Sequence, residues 1–462
     1  MRQRLPPDPP ESSPPLDLSG LPVRPHEIRS GLRLNLRGRS VHLRGLRHAP
    51  SGWLRWVVLL GPGVIAAAAG NDAGGVATYS AAGAQYGYDL LWVMVILTVS
   101  LAVVQEMCAR LGVATGRGLL DLIRERFGIG WAIIAMGIIV VANGGLVVSE
   151  FVAVGAAMEL LGTSRYLAVP VSAALLWYLI VYGSYARVER LFLAMTLVFF
   201  AYPAAAFMAH PQWPAVARGA LLPTVHRDSN YLFLLVGLLG TTITPYMQLF
   251  QQSSLVEKGV ARHHYGPERL DTYVGSLLSN LMSMSMIIAT AATLHVKGQT
   301  SIETAVDAAR ALEPVVGDAA SVLFAIGLLG AALLAGAVLP LATAYAVCEA
   351  IGVPKGINLD FRRARVFFTL FTLLLGVGAG VALLPQLPVI PLLLVMQVLN
   401  GVLLPIILVF ILVLSNDARV AGELKNSRLA NILGWGTWGI VTVAVVILLV
   451  SPLLKMVGGS RL

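Results

Sequence analysis

Long apolar blocks, separated by short polar and basic segments, organise this sequence. Eleven of them are about 20 or more residues long with little or no charge: about 54–84, 88–112, 130–160, 166–184, 188–210, 230–257, 270–294, 318–349, 364–384, 388–414 and 430–453. About 20 apolar residues in helical form span a hydrocarbon core of ~30 Å. The pattern therefore predicts a polytopic, all-α integral membrane protein. The first, third, sixth and eighth blocks exceed a straight crossing, so each must tilt, extend beyond the bilayer or break.

Composition agrees: 57% of the 462 residues are hydrophobic and only 12% charged. A soluble domain has about 45–50% apolar and roughly 25% charged residues. Residues 1–50, rich in Pro, Arg and Ser and without helical periodicity, read as a mostly disordered basic tail. The first apolar block lies far from Met1, so no cleavable signal peptide is expected. With the tail placed inside, 26 of the 33 Lys and Arg residues fall in inner segments. The positive-inside rule then predicts a cytoplasmic N-terminus and an extracellular C-terminus. The net charge of +9 is a topology signal and implies no nucleic-acid partner. Cys108 and Cys348 fall inside apolar blocks and read as small core hydrophobes.

Two blocks carry helix-breaking sequences. The first contains Gly61-Pro62-Gly63 and then Gly70-Asn71-Asp72-Ala73-Gly74-Gly75, poor helix material with an ionisable Asp72 at mid-span. The sixth contains Gly240-Thr241-Thr242-Ile243-Thr244-Pro245-Tyr246, where Pro245 removes a backbone donor. Each begins a set of five spans. Paired breaks at corresponding positions of two halves point to inverted repeats with substrate held between them. The repeats are expected over about 54–210 and 230–414, with an additional helix at about 430–453, inside a transporter domain of 51–455.

These residues carry a family resemblance. Gly61-Pro62-Gly63 with Asp72-Ala73-Gly74-Gly75, the segment Gln105 to Phe127, Thr244-Pro245-Tyr246-Met247, and Asn400 to Trp435 resemble four signature regions of the Nramp family of divalent metal transporters. The resemblance runs from about 54 to 453. It implies a LeuT-type fold of two inverted five-helix repeats plus an eleventh helix, in a bacterial-type plasma membrane. It also implies a metal site of Asp72, Gln397, carbonyls near Ala69 and Thr241, and the positions of Gly75, Thr244 and Tyr246. Here Gly75 stands where the family has Asn, Thr244 where it has Met, Tyr246 where it has His and Gln251 where it has a second His. Glu150 matches a family Glu, whereas Val147 replaces an Asp three residues earlier. Those His and acidic positions are associated with proton coupling.

Loss of a soft thioether in favour of hydroxyl, amide and carbonyl oxygens suits a hard cation. Small side chains at 75 and 244 are expected to leave room for a hydration shell. The pattern is similar to the Nramp-related magnesium transporters, the branch lacking the site methionine. The expected function is import of a divalent ion, hydrated Mg²⁺ or Mn²⁺, with weak or no proton coupling. The alternatives are a proton-coupled Mn²⁺/Fe²⁺ carrier, with Met247 as the sulfur donor, and a carrier of amino acids or other organic solutes on the same fold. No HExxH, GxSxG or Cys/His ligand cluster is present, which argues against an enzyme. The expected partners are the transported ion and the lipid bilayer. No resident cofactor is expected, and a monomer is compatible with the sequence.

Other polar residues have plainer readings. Glu106 and Arg110 form an i,i+4 pair, or alternatively an inner gate. Glu150 is read either as paired with an Arg from another helix or as a vestibule group, and Gln251 joins it as a vestibule or gating candidate. Glu159 is read as exposed, and His263-His264 as solvated. Asn143, Asn280 and Asn400 can hydrogen-bond across helices. Trp53, Trp56 and Trp435 read as interfacial anchors, and 297–317 as a short amphipathic helix.

Overall fold

The computed structural model describes residues 33–36 and 39–42 of the tail, and 62–458 apart from 261, 263, 264, 303–319 and 386. The tail and the rest of the chain, divided near residue 58, are separate units. In the tail, Arg33–Leu36 and Arg39–His42 pair as a short antiparallel hairpin with Arg33 opposite His42. The sequence reading had no regular structure there; the rest of that reading lies outside the described residues. So do Trp53, Trp56, His263-His264 and most of 297–317.

The second unit is helical. In chain order its main helices are α1 (Pro62–Ala69), α2 (Ala73–Tyr86), α3 (Leu91–Thr115), α4 (Leu119–Phe127), α5 (Ile129–Leu160), α6 (Arg165–Val181), α7 (Tyr185–Thr196), α8 (Ala201–Met208) and α9 (Trp213–Leu221). They continue with α10 (Ser229–Thr242), α11 (Pro245–Lys258), α12 (Tyr265–Thr290), α13 (Ala320–Ile351), α14 (Arg365–Ala382), α15 (Val389–Asn416) and α16 (Arg428–Gly458). Among the described residues eight helices are long and apolar enough to cross a membrane, counting α10 with α11 as one. Val141, Leu167, Leu373 and Val443 leave more than half their surface outside the core, as lipid-facing residues do.

Of the four over-long blocks, two break and two do not. The first becomes α1 and α2, the sixth becomes α10 and α11, while α5 and α13 run as unbroken 32-residue helices. Those two pack on each other more extensively than any other pair of described helices. Asn143 on α5 donates to Thr343 Oγ1 on α13 at 2.8 Å. The fifth block is interrupted by a 3-10 turn at Leu197–Phe200, which its apolar sequence does not announce. Cys108 and Cys348 are buried free thiols.

Around the breaks, α12 packs along α1 and α2, and α15 packs on α10 and α2. Backbones approach closely there. At Gly240, any Cβ would strike the backbone of Gln397 and Gly401 on α15. Asn400 reinforces this crossing by donating to the Gly240 carbonyl at 3.0 Å. Asn280 behaves differently: its amide donates to Ser276 O on its own helix, at 3.4 Å.

Candidate functional site

A helix that restarts in mid-bundle needs partners for its first backbone N–H groups. At the first break α1 ends at Ala69 and α2 starts at Ala73, with Asp72 in extended conformation as its N-cap. Asp72 Oδ1 accepts the Gly75 N–H at 2.5 Å. A second carboxylate serves the same turn: Glu150 of α5 accepts the Ala73 N–H at 3.1 Å through Oε2. Both acids lie at the positive end of α2, where a negative group is stabilised. The partner of Glu150 is thus backbone, not an Arg side chain.

At the sixth break α10 ends at Thr242, with Ile243 as its C-cap, and α11 begins with Pro245 at its first position. Proline needs no donor there and carries a pre-set φ, so Pro245 starts a helix and does not kink one. The N-cap, Thr244, makes no capping bond, and its buried hydroxyl has no protein partner.

The two breaks meet at Asp72. Gln397 Nε2 of α15 donates to both carboxylate oxygens, at 2.8 and 3.0 Å. The Tyr246 hydroxyl donates to the Ala69 carbonyl at 2.6 Å and lies 3.4 Å from Asp72 Oδ2. Thr241 Oγ1 donates to the Gly70 carbonyl at 3.2 Å. Asp72, Thr244, Gln397 and Glu150 have no exposed surface, so the site is closed on both sides. Within it, Gln397 Oε1, Thr244 Oγ1 and Glu150 Oε1 remain without partners. Turning the Gln397 amide would exchange a donor to Asp72 for an acceptor facing the same space. The result would be a cage of oxygens.

A family model described as "Natural resistance-associated macrophage protein-like" matches residues 63–451, nearly all of this helical bundle. The chain belongs to the Nramp family. It is 32% identical over 411 residues to "Divalent metal cation transporter MntH 1" of Pseudomonas aeruginosa, covering 84% of this chain and 90% of that protein. It is 30% identical over 419 residues to "Divalent metal cation transporter MntH" of Ralstonia nicotianae, covering 85% and 90%. A solved structure of the Eremococcus coleocola manganese transporter superposes with a TM-score of 0.70 at 19% identity, over 90% of this chain and 92% of that one. MhsT in complex with L-phenylalanine follows at 0.60 and 13%, over 88% and 99%. The fold is therefore all-α and of the LeuT type: two inverted five-helix repeats and an eleventh helix.

Within this Nramp protein most candidate residues converge and some do not. Asp72, Gln397, Tyr246 and the Ala69 carbonyl form one hydrogen-bonded group, Thr241 bonds to the neighbouring Gly70 carbonyl, and Thr244 lies in the facing break. Gly75 corrects the idea that small residues leave room. A Cβ there would lie 2.7 Å from Thr241 Oγ1 and 2.9 Å from Gly70 O, so the space is already filled. Asn71, beside Asp72, is tied to α12: it donates to Ser279 and accepts from Ser283 Oγ at 2.6 Å. Met247 does approach the break. A Cβ placed on Gly70 would meet its Sδ and Cε at 2.7 Å.

Gln251 and Glu106 sit away from this group. Gln251 donates to Thr272 Oγ1 at 3.0 Å. Glu106 pairs with Arg110 at 3.3 Å and accepts the Tyr265 hydroxyl, and Arg110 reaches Asn426. The simple i,i+4 reading holds, and the pair also ties α3 to α12 and to the segment before α16. A second buried acid at this basic end escaped sequence reading. Glu349 of α13 accepts from Leu120 N (3.2 Å) and Ser253 Oγ (2.8 Å), and Lys355 Nζ lies 3.8 Å away. Gly118 leaves no space against that carboxylate even for a methyl group. Glu159 forms an ion pair with Arg165 at 2.5 Å and is partly exposed.

Proposed function

We propose that this protein is a secondary transporter that imports a divalent cation, hydrated Mg²⁺ or Mn²⁺, through a site centred on Asp72, with weak or no proton coupling. The observation that carries the reading is the buried carboxylate of Asp72 in a sealed break, beside open oxygens on Gln397 and Thr244. Relatives named as divalent metal cation transporters support the cation. The donors are those of hard ions: one carboxylate, amide and hydroxyl oxygens, and the Ala69 and Gly70 carbonyls, with water completing the shell. To admit the ion, Tyr246 and Thr241 must release those carbonyls, and the Gln397 amide must turn. Loading is then a local rearrangement of both breaks.

Two helix N-termini face this place, and their positive ends disfavour a cation. Asp72 and Glu150 offset that. Glu150 is held as a cap, and Val147, in the position of a family acid, is buried where a Cβ on Gly378 of α14 would also touch Phe151. That apolar packing leaves Glu150 without the family's second acid at position 147, which supports weak proton coupling. An inside-negative potential alone drives entry, since a divalent ion gains about 4.6 kcal/mol per 100 mV. On this reading the tail is cytoplasmic and the C-terminus outside, with repeats over about 54–210 and 230–414, as the distribution of Lys and Arg supports.

The contact of Met247 with Gly70 favours one second reading. If its sulfur turns to the ion, the site prefers soft ions and the protein is a Mn²⁺/Fe²⁺ carrier. Flux of Mn²⁺ into proteoliposomes separates the two. We expect competition by Mg²⁺, none by micromolar Cd²⁺, and no internal acidification. Micromolar Cd²⁺ competition with stoichiometric acidification supports the second reading instead.

A further inference from the structure

Past Thr244, toward the basic end, α11 presents a row of buried amides. Gln248, Gln251 and Gln252 follow Thr244 at helical spacing and have no exposed surface. Gln248 is the extreme member: among the described residues it is the one buried amide with neither its nitrogen nor its oxygen partnered. Gln251 and Gln252 each leave an oxygen open.

Facing helices add to the row. Gln251 donates to Thr272 of α12, one turn from Ser276, which donates to Gln105 Oε1 of α3 at 3.1 Å. Gln105 Nε2 and Asn280 Oδ1, on the same two helices, are also open. Gln252 packs on Gly112 of α3. One turn nearer the break, Gln248 is by register level with the part of α3 leading to Gln105.

Each unpartnered buried polar atom costs about 1–3 kcal/mol, so several of them on facing helices point to a ligand. The carboxylates nearby are committed elsewhere. Asp271 accepts the Gly63 N–H at 2.7 Å, and Glu106 is held by Arg110 and Tyr265. The row itself carries only neutral amides and hydroxyls. Neutral amide oxygens can replace the waters of a passing cation one at a time and release it, which conduction requires of any intermediate site.

We propose that Gln248, with Gln251, Gln105 and Asn280, forms a transient second site for a hydrated divalent cation on its way from Asp72 to the basic face. This rests on the reading of Asp72 as the primary cation site. The test pairs Mn²⁺ binding by calorimetry with Mn²⁺ flux in proteoliposomes, for the full chain and two variants. Gln248→Leu should keep the wild-type Kd within about twofold while flux falls about tenfold, because the primary site is intact and the exit is not. Gln248→Glu should bind about tenfold more tightly and still turn over more slowly, since a carboxylate holds the ion. Unchanged flux in Gln248→Leu overturns the proposal. Joint loss of binding and flux in that variant also overturns it, because the amide is then a packing group. An unchanged Kd and flux in Gln248→Glu counts against it equally. A wild type that binds no Mn²⁺ removes the reading of Asp72, and this site with it.

Discussion

Both broken spans restart as a helix, at Ala73 in one and Pro245 in the other, yet α2 begins beneath two carboxylates and α11 without any side-chain cap. At the first break every oxygen of Asp72 is engaged, by Gly75, Gln397 and Tyr246. At the sixth, the Thr244 hydroxyl and the Gln248 amide are left open in a buried setting. The first break is thus an electrostatic anchor fixed by its own helix end. The sixth offers groups with no protein partner, as Gln397 Oε1 and Glu150 Oε1 also do, and on the proposed reading these are the ones that change partners when an ion arrives or leaves.

Substitutions on either side can break or sharpen this contrast. Asp72→Ala should have the largest effect, lowering cation binding at least about 100-fold. That corresponds to ~2.8 kcal/mol, and flux measured in proteoliposomes should fall with it. Glu150→Gln keeps an acceptor for the Ala73 N–H but removes a charge from beside two helix ends. Cation affinity should fall about tenfold, with the melting temperature nearly unchanged. Glu150→Ala should in addition destabilise the fold by about 1–3 kcal/mol, because the N–H loses its partner. Denaturation of the two variants separates charge from cap.

The sixth break should respond in the opposite sense. Thr244→Val removes a hydroxyl that bonds to nothing in the protein, so stability should hold or rise by about 1 kcal/mol while flux falls severalfold. A marked loss of stability would mean that the hydroxyl is structurally engaged, and the contrast would fail. Smallest of all should be Asp417→Asn, a control outside both breaks. The Arg419 N–H and the Arg126 guanidinium hold the Asp417 carboxyl below its usual value of 3.8. Its contribution is therefore present above about pH 4 and lost as pH falls through the lower folded value. The variant should flatten acid unfolding slightly there without changing flux, because exposed pairs are worth only about 0–1 kcal/mol.

Much of this was legible in sequence because glycine, proline and a mid-span acid are costly in a membrane helix unless they are used. Eight of the eleven apolar blocks coincide with helices long and apolar enough to cross a membrane among the described residues, and Gly70 to Gly75 and Thr244-Pro245 marked both breaks. What escaped were relations with the backbone and with space. Nothing in the sequence tells that Glu150 caps α2, since its partner is a backbone N–H, which every residue but proline has. Gly75 read as vacant room because composition cannot show Thr241 standing in it. Glu349 passed as an ordinary residue at a helix end, and only the fold brings Leu120, Ser253 and Lys355 around it.

The central claim is that Asp72 anchors an all-oxygen site between two breaks. Calorimetric titration of the purified protein with Mg²⁺, Mn²⁺ and Cd²⁺ tests it most directly. The account predicts weak heats of binding for Mg²⁺ and Mn²⁺ and none for Cd²⁺. Tight Cd²⁺ binding with no Mg²⁺ signal would contradict it and place a sulfur, that of Met247, among the ligands.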